Sequence, residues 1–497
     1  MAAPVHIVIF GASGDLTARK LVPALASLAT RSECSEAFRL IGMARRPWDD
    51  AQFRRALREA QPESTWAAFD AFQERVHYVQ GDVQDADALR VLERRLDALP
   101  GGAQAGRLFY LSLMPDLFGP AVQCLAQAGM VHAAEGGPWR RVVLEKPFGH
   151  DLASARELNR MLQARLREDQ IYRIDHYLGK ETVQNLFAFR FNNTIFEPVW
   201  NRRHVELVQV TVAETVGMEH GRAGYYDRAG AMSDMVQNHM LQILAMVAME
   251  PPSSLDPEEV RGQKVSLLKS LRFSGRPGHS VRARYAGGAF QGAPVRGYLE
   301  EGVPAGSGTE TFVALRLGAE NWRWSGVPFL LRHGKRMAKA FTEVKVQFRT
   351  PPIQLSEGMV AGQSLLSAPE EAPCLLRPNV LTLSIQPREA MSLSFSVKQP
   401  GNGMAMVPAD LAFDYRDRFG TATTPAYERL LLDAMQGDPT LFLRADEVEA
   451  SWRFADAVRA SWSGPGAPPL LEYAAGSWGP PEADGLFQGC EGGWSRG

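Results

Sequence analysis

The chain has 497 residues, of which 45% are hydrophobic and 22% are charged. This length is too great for one ordinary hydrophobic core, and the composition is that of a globular protein of about two to four domains. The formal net charge of −2 provides no general attraction to nucleic acid or to an anionic membrane, so neither is an expected partner.

The cysteines and the first residues indicate the compartment. The four cysteines are scattered without ligand spacing, which argues against a disulfide framework and against a metal site. The amino-terminal residues lack the basic and long apolar regions of a signal peptide. No apolar run approaches the length of a membrane span. We therefore expect a cytoplasmic protein. The cysteines are Cys34, Cys124, Cys374 and Cys490.

Short apolar runs alternate with helical patterns in the first third of the chain. This alternation predicts βαβ units around a parallel sheet, which is an α/β, doubly wound, Rossmann-like domain over residues 1–177. The predicted strands are residues 6–10, 39–44, 76–79, 108–111 and 142–144.

The pattern changes after residue 178. Alternating β-type segments then dominate, and they predict a larger α+β domain over residues 178–485, in which an antiparallel sheet packs against helices. The Gly-rich residues 486–497 are predicted to be disordered. The β-type segments are residues 205–212, 311–317, 344–348 and 381–385, and the helical patterns are residues 175–191, 231–249 and 427–453.

A glycine turn follows the first predicted strand and opens the first helix. Such a turn lets backbone N–H groups approach a pyrophosphate at the helix N-terminus, although a plain strand-to-helix connection has the same GxxG pattern. The residues are Gly11, Ser13, Gly14, Asp15 and Leu16. The second strand ends in Arg45 and Arg46, without an early acidic residue, and this favours a 2′-phosphate and thus NADP.

Two further segments carry candidate chemistry. Lys146, in EKPFG, follows a strand at the carboxyl edge of the sheet, where ligands bind in open α/β folds. In RIDHYLGKE, His176 and Lys180 are four residues apart, so on a helix they share a face on which an anion such as phosphate would relieve their repulsion. Asp175 is either a helix cap or a catalytic partner.

A third segment contains a histidine with polar neighbours. His239 lies in an otherwise apolar helical pattern, where a histidine is commonly a buried core residue. Asp234 and Asn238 beside it favour a polar site instead.

These segments together resemble the glucose-6-phosphate dehydrogenase family over essentially the whole chain. The motifs are GASGDLTARKL, EKPFG, RIDHYLGKE, QNHMLQ, NWRWSGVPFLLRHGK and YAAGSWGPPEAD. The resemblance implies oxidation of β-D-glucose 6-phosphate to 6-phosphoglucono-1,5-lactone with reduction of NADP, as the first step of the oxidative pentose phosphate pathway. It also implies a homodimer or a homotetramer.

The resemblance assigns roles by matching positions. His239 corresponds to the general base and Asp175 to the carboxylate that orients it. Substrate-binding positions are Lys146, His176, Tyr177, Lys180, Glu214, Asp234 and Lys335. Cofactor positions are Ser13, Arg45, Asp82, Val83, Tyr110 and Lys146, in addition to the glycine turn.

The sequence departs from the family pattern at several places, and two other functions remain open. Ser233 stands where arginine is common, Met114 replaces a common proline, and Lys339 stands one residue before the expected second lysine. One alternative is an NAD(P)-dependent oxidoreductase of another sugar or sugar phosphate, although a neutral sugar has no use for His176 together with Lys180. The other is a catalytically silent NADP-binding regulator, which the combination of candidate catalytic residues disfavours.

Overall fold

The computed structural model describes residues 4–31, 38–132, 136–221, 223–351, 377–401, 406–420, 424–464, 466–490 and 492–497. Among these residues, no helix combines the length and the apolar character needed to cross a membrane. Cys124 and Cys490 are free thiols, whereas Cys34 and Cys374 lie outside the described residues.

The described helices and strands are numbered separately in chain order. The strands are β1 Val5–Phe10, β2 Phe38–Ala44, β3 Val76–Gln80, β4 Gly106–Leu111, β5 Arg140–Leu144, β6 Ile171–Ile174, β7 Val205–Ala213, β8 Leu271–Arg272, β9 Ser280–Ala286, β10 Gly288–Phe290, β11 Ala293–Val295, β12 Phe312–Ala319, β13 Phe329–Gly334, β14 Phe341–Phe348, β15 Val380–Gln386, β16 Ala390–Lys398, β17 Met406–Asp414, β18 Phe442–Leu443 and β19 Leu470–Ala474. The helices are α1 Val22–Thr30, α2 Asp50–Glu59, α3 Trp66–Phe72, α4 Ala86–Ala98, α5 Phe118–Gln127, α6 Leu152–Gln163, α7 Glu181–Phe191, α8 Ala223–Ala231, α9 Leu241–Ala248, α10 Pro257–Ser270, α11 Tyr415–Phe419, α12 Ala426–Gln436 and α13 Ala445–Ser461.

The chain divides into two compact units. The first unit contains Met1–Lys180, Met249–Leu268 and Thr424–Asp456, and the second contains the remaining residues. The first boundary lies close to the predicted one at residue 177. The prediction assigned both later segments to the second domain, and the structure corrects this assignment because they pack with the first unit.

The first unit is built on a seven-stranded sheet in the order β18-β6-β5-β4-β1-β2-β3. Strands β1 to β6 are parallel, and β18 is antiparallel to β6. Every residue of β1 and β4 is buried, as expected for a sheet covered on both faces. The strand order reverses between β1 and β4, and ligands of open α/β sheets bind at such a point. The predicted doubly wound domain is confirmed.

Aspartates cap three of the helices in this unit. Asp49, Asp85 and Asp151 each precede a helix and accept a hydrogen bond from a backbone N–H group of its first turn. These N-caps satisfy donors that would otherwise lack intrahelical partners.

The second unit contains a large, mainly antiparallel sheet in the order β17-β16-β15-β14-β7-β13-β12-β9-β19, with β8 paired to β12. The pairs β7–β13 and β9–β19 are parallel. Helices accompany this sheet within the unit, so the predicted α+β architecture is confirmed. A two-stranded sheet, β10–β11, is separate from it.

The structure does not support the predicted disorder of residues 486–497, of which Glu491 is not described. Trp494 is largely buried, packs edge-on against Phe487 and donates a hydrogen bond to the Ala483 carbonyl at 2.9 Å. The Arg332 guanidinium lies over the Trp494 ring at 4.9 Å. The glycine content suggested disorder, but one large apolar ring is enough to anchor this segment in a core.

The helical pattern over residues 427–453 is also interrupted. It forms α12 and α13, with the short strand β18 between them. Gly437 ends α12 in a left-handed conformation, with φ of 87°, which glycine adopts at little cost.

Candidate active site

The glycine turn lies at the carboxyl end of β1, as predicted. Gly11 has φ of 76°, and a Cβ atom there would lie 2.1 Å from the Ser112 carbonyl oxygen. A side chain is therefore excluded at this position. The Gly14 N–H donates to the Gly11 carbonyl at 2.9 Å, and the helical segment that contains Asp15 and Leu16 begins directly afterwards. Such a turn at a helix start fits a pyrophosphate group.

The end of β2 presents cations to solvent. Arg45 and Arg46 are both exposed, and the Arg46 guanidinium lies 4.9 Å from the centre of the Trp48 ring. The exposed Arg45 side chain follows the last residue of β2 directly, so it fits a 2′-phosphate at the carboxyl edge of the sheet.

Two other predicted cofactor positions follow β3. Asp82 is half-buried and accepts a hydrogen bond from the Gln84 N–H at 3.0 Å, whereas Val83 is buried. They lie after the same sheet edge as Gly11 and Arg45, because β1, β2 and β3 are parallel neighbours.

Tyr110 lies in β4 and is fully buried. Its hydroxyl donates to Glu145, which follows β5 directly, and Tyr427 of α12 forms a second hydrogen bond to the same carboxyl group. Burial raises the pKa of Glu145 above its usual value, and burial raises the pKa of both phenols, so they remain donors. The half-buried Lys146 comes next in the chain, followed by a cis peptide bond to Pro147.

The segment from 175 to 180 is not the helix that the sequence suggested. Helix α7 begins at Glu181, and the preceding residues form successive turns after β6. The Asp175 carboxylate accepts the Tyr177 N–H at 2.9 Å, and the Asp175 carbonyl accepts the Leu178 N–H at 3.1 Å. An aspartate that bonds to the backbone two residues later stabilises a turn and competes with a helix. The argument that His176 and Lys180 share a helical face is therefore wrong.

Aromatic packing orients this turn. The His176 ring lies parallel to the Tyr427 ring, at 8° and 6.3 Å between centroids, and it is tilted against Tyr177 at 4.9 Å. Asp175 is only 2% exposed and Tyr177 is buried, whereas His176 and Lys180 are half-buried. The turn therefore holds a buried carboxylate beside two partly accessible nitrogen-bearing side chains.

In the second unit, Glu214 and Lys335 form a buried ion pair. They follow β7 and β13, which are parallel neighbours, so both leave the sheet at the same edge. The Lys335 ammonium lies 2.5 Å from the Glu214 carboxylate and 4.9 Å from the centre of the Tyr226 ring. Lys335 is 3% exposed, so the Glu214 carboxylate and the Tyr226 ring take the place of most of the water around its side chain.

The electrostatic surroundings of Glu214 favour its ionised form. Burial opposes the ionisation of Glu214, but the attraction to Lys335 and the hydrogen bond from Lys335 outweigh burial, and the pKa of Glu214 is lowered. His333 is fully buried and contacts the Val212 carbonyl through Nδ1 at 2.9 Å. Burial lowers the pKa of His333 to about 4, so it is neutral near pH 7.

The predicted helix around His239 is present, but part of it is wider than an α-helix. In the segment Met232–Met240, hydrogen bonds run between residues five apart, and the Leu241 N–H bonds to the Val236 carbonyl. In a regular α-helix, side chains five apart point about 140° away from each other. The wider repeat brings Asp234 and His239 toward one side, and such segments are frequent at functional sites. His239 is 1% exposed, and Asp234 is half-buried.

Sequence reasoning missed several members of these clusters. No role was assigned to Tyr427 or Tyr226 from the sequence, because their roles depend on long-range contacts. His333 could have been noticed from the sequence, because it lies two residues before the predicted substrate-binding residue Lys335. Lys339 is exposed and donates to the Gly497 carbonyl at 2.8 Å, so its side chain is engaged with the tail.

The first unit defines a dinucleotide-binding oxidoreductase: a doubly wound sheet, a glycine turn after β1 and polar groups after successive strands. Comparison with protein families is consistent with this class. Residues 8–185 match the model "Glucose-6-phosphate dehydrogenase, NAD binding domain", and residues 187–495 match "Glucose-6-phosphate dehydrogenase, C-terminal domain". The chain belongs to the glucose-6-phosphate dehydrogenase family.

Individual relatives cover nearly the full length. The chain is 42% identical to glucose-6-phosphate 1-dehydrogenase of Treponema pallidum, over 99% of this chain and 95% of that protein. A solved structure of a glucose-6-phosphate dehydrogenase in complex with its substrate glucose-6-phosphate is 32% identical, with a TM-score of 0.87 over 100% of this chain and 99% of the other. The enzyme from Mycobacterium avium is 35% identical, with a TM-score of 0.80 over 99% of each chain.

One departure from the family pattern has a structural counterpart. Ser233, where arginine is common, accepts a hydrogen bond from the Arg459 guanidinium in the carboxyl-terminal part of α13. A guanidinium from a distant part of the chain thus contacts the residue before Asp234.

Proposed function

We propose that this chain oxidises β-D-glucose 6-phosphate to 6-phosphoglucono-1,5-lactone with NADP. The observation that carries the proposal is the likeness, over the whole chain, to a glucose-6-phosphate dehydrogenase solved with its substrate. When bound, the nicotinamide accepts a hydride from C1 of the sugar. The residues of this chain must bind the phosphate, orient the sugar and remove the proton of the C1 hydroxyl.

The proposed general base is His239, and the proposed partner that orients it is Asp175. Both side chains are almost completely buried, as suits groups that handle a proton away from bulk water. A neutral histidine accepts the hydroxyl proton as the hydride leaves, and a carboxylate stabilises the resulting imidazolium. Such a base contributes about 10²–10⁴-fold to the rate.

Phosphate binding is assigned to His176, Tyr177 and Lys180. Two of these side chains are half-buried at the turn after β6, so a dianion would meet donors with reduced access to water. Lys146 is assigned to contact both substrate and cofactor.

Sugar hydroxyls are assigned to Glu214, Asp234 and Lys335. A paired carboxylate and ammonium offer acceptors and donors at fixed positions, as recognition of a polyhydroxylated ring requires.

Selectivity for NADP is assigned to Arg45, which is exposed directly after β2. Arg45→Ala should lower kcat/KM with NADP and leave kcat/KM with NAD nearly unchanged. If the ratio of kcat/KM with NADP to kcat/KM with NAD is unchanged in this variant, Arg45 does not select NADP. The cofactor-binding turn comprises Gly11, Ser13, Gly14, Asp15 and Leu16, and the remaining assigned contacts are Asp82, Val83 and Tyr110.

The deciding experiment is an absorbance assay of nicotinamide reduction, with glucose 6-phosphate and glucose each offered with NADP and with NAD. The expected result is strong preference for glucose 6-phosphate with NADP. His239→Asn should abolish most of kcat with little change in substrate affinity. A parent enzyme that prefers free glucose would contradict the proposed substrate, and near-normal turnover of His239→Asn would contradict the base.

The proposed place of the reaction is the first step of the oxidative pentose phosphate pathway, in the cytoplasm. A homodimer or a homotetramer is the proposed assembly, and light scattering of the purified protein checks it. A monomeric mass at assay concentrations would contradict this part of the proposal.

A further inference from the structure

The loops that carry Glu214 and Lys335 are joined beyond the ends of their strands. The Glu214 N–H donates to the Gly334 carbonyl at 2.9 Å, and the Met337 N–H donates to the Glu214 carbonyl at 2.8 Å. The Arg336 N–H donates to the Val216 carbonyl at 3.2 Å. Backbone hydrogen bonds therefore bind the loop after β7 to the turn after β13 on both sides of the ion pair.

A second layer of charged side chains reinforces this junction. The Arg336 guanidinium lies 2.7 Å from a Glu301 carboxylate oxygen and 2.8 Å from a Glu219 oxygen. The other Glu301 oxygen accepts the Met218 N–H at 2.7 Å and the Tyr285 hydroxyl at 2.5 Å. Glu301 thus holds the loop after β7 through one oxygen and the turn after β13 through the other. We call Arg336, Glu301 and Glu219 the carboxylate clamp.

Two residues at the clamp are restricted by their surroundings, Arg336 in its backbone conformation and Gly217 in the space around it. Arg336 has φ of 51°, in the left-handed region that non-glycine residues seldom adopt. Gly217 has no room for a side chain, since a Cβ atom there would lie 2.5 Å from Arg336 Nε and 2.7 Å from a Glu301 oxygen. A non-glycine residue keeps such a conformation only where its surroundings enforce it.

The charges in the clamp are stabilised by one another. Burial opposes the ionisation of Glu301, but hydrogen bonds from Tyr285, Arg336 and the Met218 N–H outweigh it and lower the pKa of Glu301. The pKa of Arg336 is raised, because Glu301 and Glu219 outweigh its partial burial. Glu301 and Arg336 are therefore ionised at neutral pH, and the contact between them is kept there.

We propose that Arg336 and Glu301 are positioning residues that fix the Glu214–Lys335 pair for the sugar hydroxyls. The inference rests on the proposed function, in which Glu214 and Lys335 bind the sugar. Arg336 follows Lys335 directly, so losing the guanidinium removes the side-chain anchor from the turn that aims the ammonium. A displacement of about 1 Å in a binding group costs up to about 10²-fold in an enzyme.

The test compares Arg336→Met, Glu301→Gln and the double variant in steady-state kinetics. Each single variant should raise KM for glucose 6-phosphate by about 10- to 100-fold, while KM for NADP changes less than about twofold. The KM of the double variant should be about as high as that of the worse single variant, because both substitutions break the same contact, between Arg336 and Glu301. Arg336→Lys should recover part of the loss, since it restores one ionic contact but not the two-carboxylate geometry.

Arg284→Met is the matched control, because Arg284 pairs with Glu472 at 3.0 Å on the same sheet, with a similarly shielded guanidinium. It should leave KM for glucose 6-phosphate unchanged. The proposal is overturned if Arg336→Met and Glu301→Gln both retain the parental KM. It is also overturned if both KM values and the melting temperature change in parallel, which would indicate general destabilisation. If Arg336→Met does not fold, the KM values of Glu301→Gln and Arg336→Lys test the positioning role instead.

Lys335→Met and Glu214→Gln are measured in the same series to separate the inference from its premise. If these direct variants raise KM and the clamp variants do not, the sugar-site assignment stands and the positioning role is wrong. If the direct variants leave KM unchanged, the sugar-site assignment is wrong, and the inference falls with it.

Discussion

The turn at residues 175–180 and the strand ends at Glu214 and Lys335 are fixed by different forces. The turn is held by short-range backbone hydrogen bonds and by the Tyr427 ring beside His176, and two of its polar side chains are partly open to water. The strand ends are held by a buried ion pair between residues that are 121 positions apart. A turn of the first kind can adapt to a ligand, whereas a pair of the second kind must be correct before the ligand arrives.

Breaking the buried pair should therefore have the largest effect on folding. Lys335→Met should lower the free energy of unfolding by about 3 kcal/mol, because it leaves the Glu214 charge poorly compensated. This value is the lower end of the range of about 3–5 kcal/mol for breaking a buried ion pair, because 29% of the Glu214 side chain remains exposed. Urea denaturation measures the change. Adding Glu214→Gln should restore part of the stability, and a further loss of stability would contradict the pairing.

Arg272→Met is the control for that experiment. Arg272 of β8 and Glu320 form an ion pair at 2.8 Å in which the side chains are 53% and 69% exposed. Because both charges remain accessible to water, the loss of this pair should cost less than about 1 kcal/mol.

Because His333 is buried near the ends of these strands, the stability of the protein should decrease at acidic pH. His333 has its folded pKa lowered by burial to about 4, against an unfolded value of about 6.5. Between these values the unfolded state binds a proton that the folded state does not, so stability falls as pH decreases from 6.5 toward 4, by up to about 3 kcal/mol. His333→Gln should flatten this part of the stability curve. The exposed His204→Gln should leave it unchanged, and equal slopes in parent and His333→Gln would contradict the assignment.

The turn should respond in binding and much less in stability. Lys180→Ala should weaken glucose 6-phosphate by about 1.5–3 kcal/mol, the value of one charge-assisted hydrogen bond, and affect free glucose far less. The ratio of kcat/KM for the two sugars measures the effect. Arg160→Ala removes an exposed cation of α6 and serves as the control. Equal losses for both sugars would exclude a phosphate contact.

The smallest expected effect concerns the ring that supports His176. Tyr427→Leu should raise KM for glucose 6-phosphate more than Tyr427→Phe does, by a factor that corresponds to about 0.5–1.5 kcal/mol, because phenylalanine keeps the ring and loses only the bond to Glu145. The difference between these two variants isolates the ring contact. If they are kinetically identical, the parallel packing of Tyr427 and His176 has no role in binding.

The same contrast explains what the sequence could predict. The glycine turn after β1 and Arg45 after β2 are local patterns, so their positions at the sheet edge could be inferred from the alternation of strands and helices. The strand β6, which precedes the turn at residues 175–180, was not predicted, so the position of that turn at the sheet edge was not inferred. The family resemblance placed Glu214 and Lys335 among the sugar-binding positions, but the ion pair between them was not predicted, because no local periodicity links strands so far apart. Tyr427 carried no signal at all.

The errors have equally local causes. Spacing suggested that residues 175–180 are helical, but the Asp175 carboxylate accepts the Tyr177 N–H and favours a turn. The glycines of residues 486–497 suggested disorder, and the buried Trp494 outweighed them. In both cases specific side-chain contacts favoured the observed structure, and a propensity averaged over a stretch of sequence does not include such contacts.

The first unit is assembled from three separate stretches of the chain, and this order has a consequence for biosynthesis. Residues 1–180 leave the ribosome long before Thr424–Asp456, which supplies both the edge strand β18 and Tyr427. At about 5–20 residues per second, this delay is roughly 12–50 s. During that interval β6 is an open sheet edge and His176 lacks the Tyr427 ring. A nascent chain of this protein therefore spends about half of its synthesis with the parallel sheet of the first unit begun and the turn at residues 175–180 unfinished.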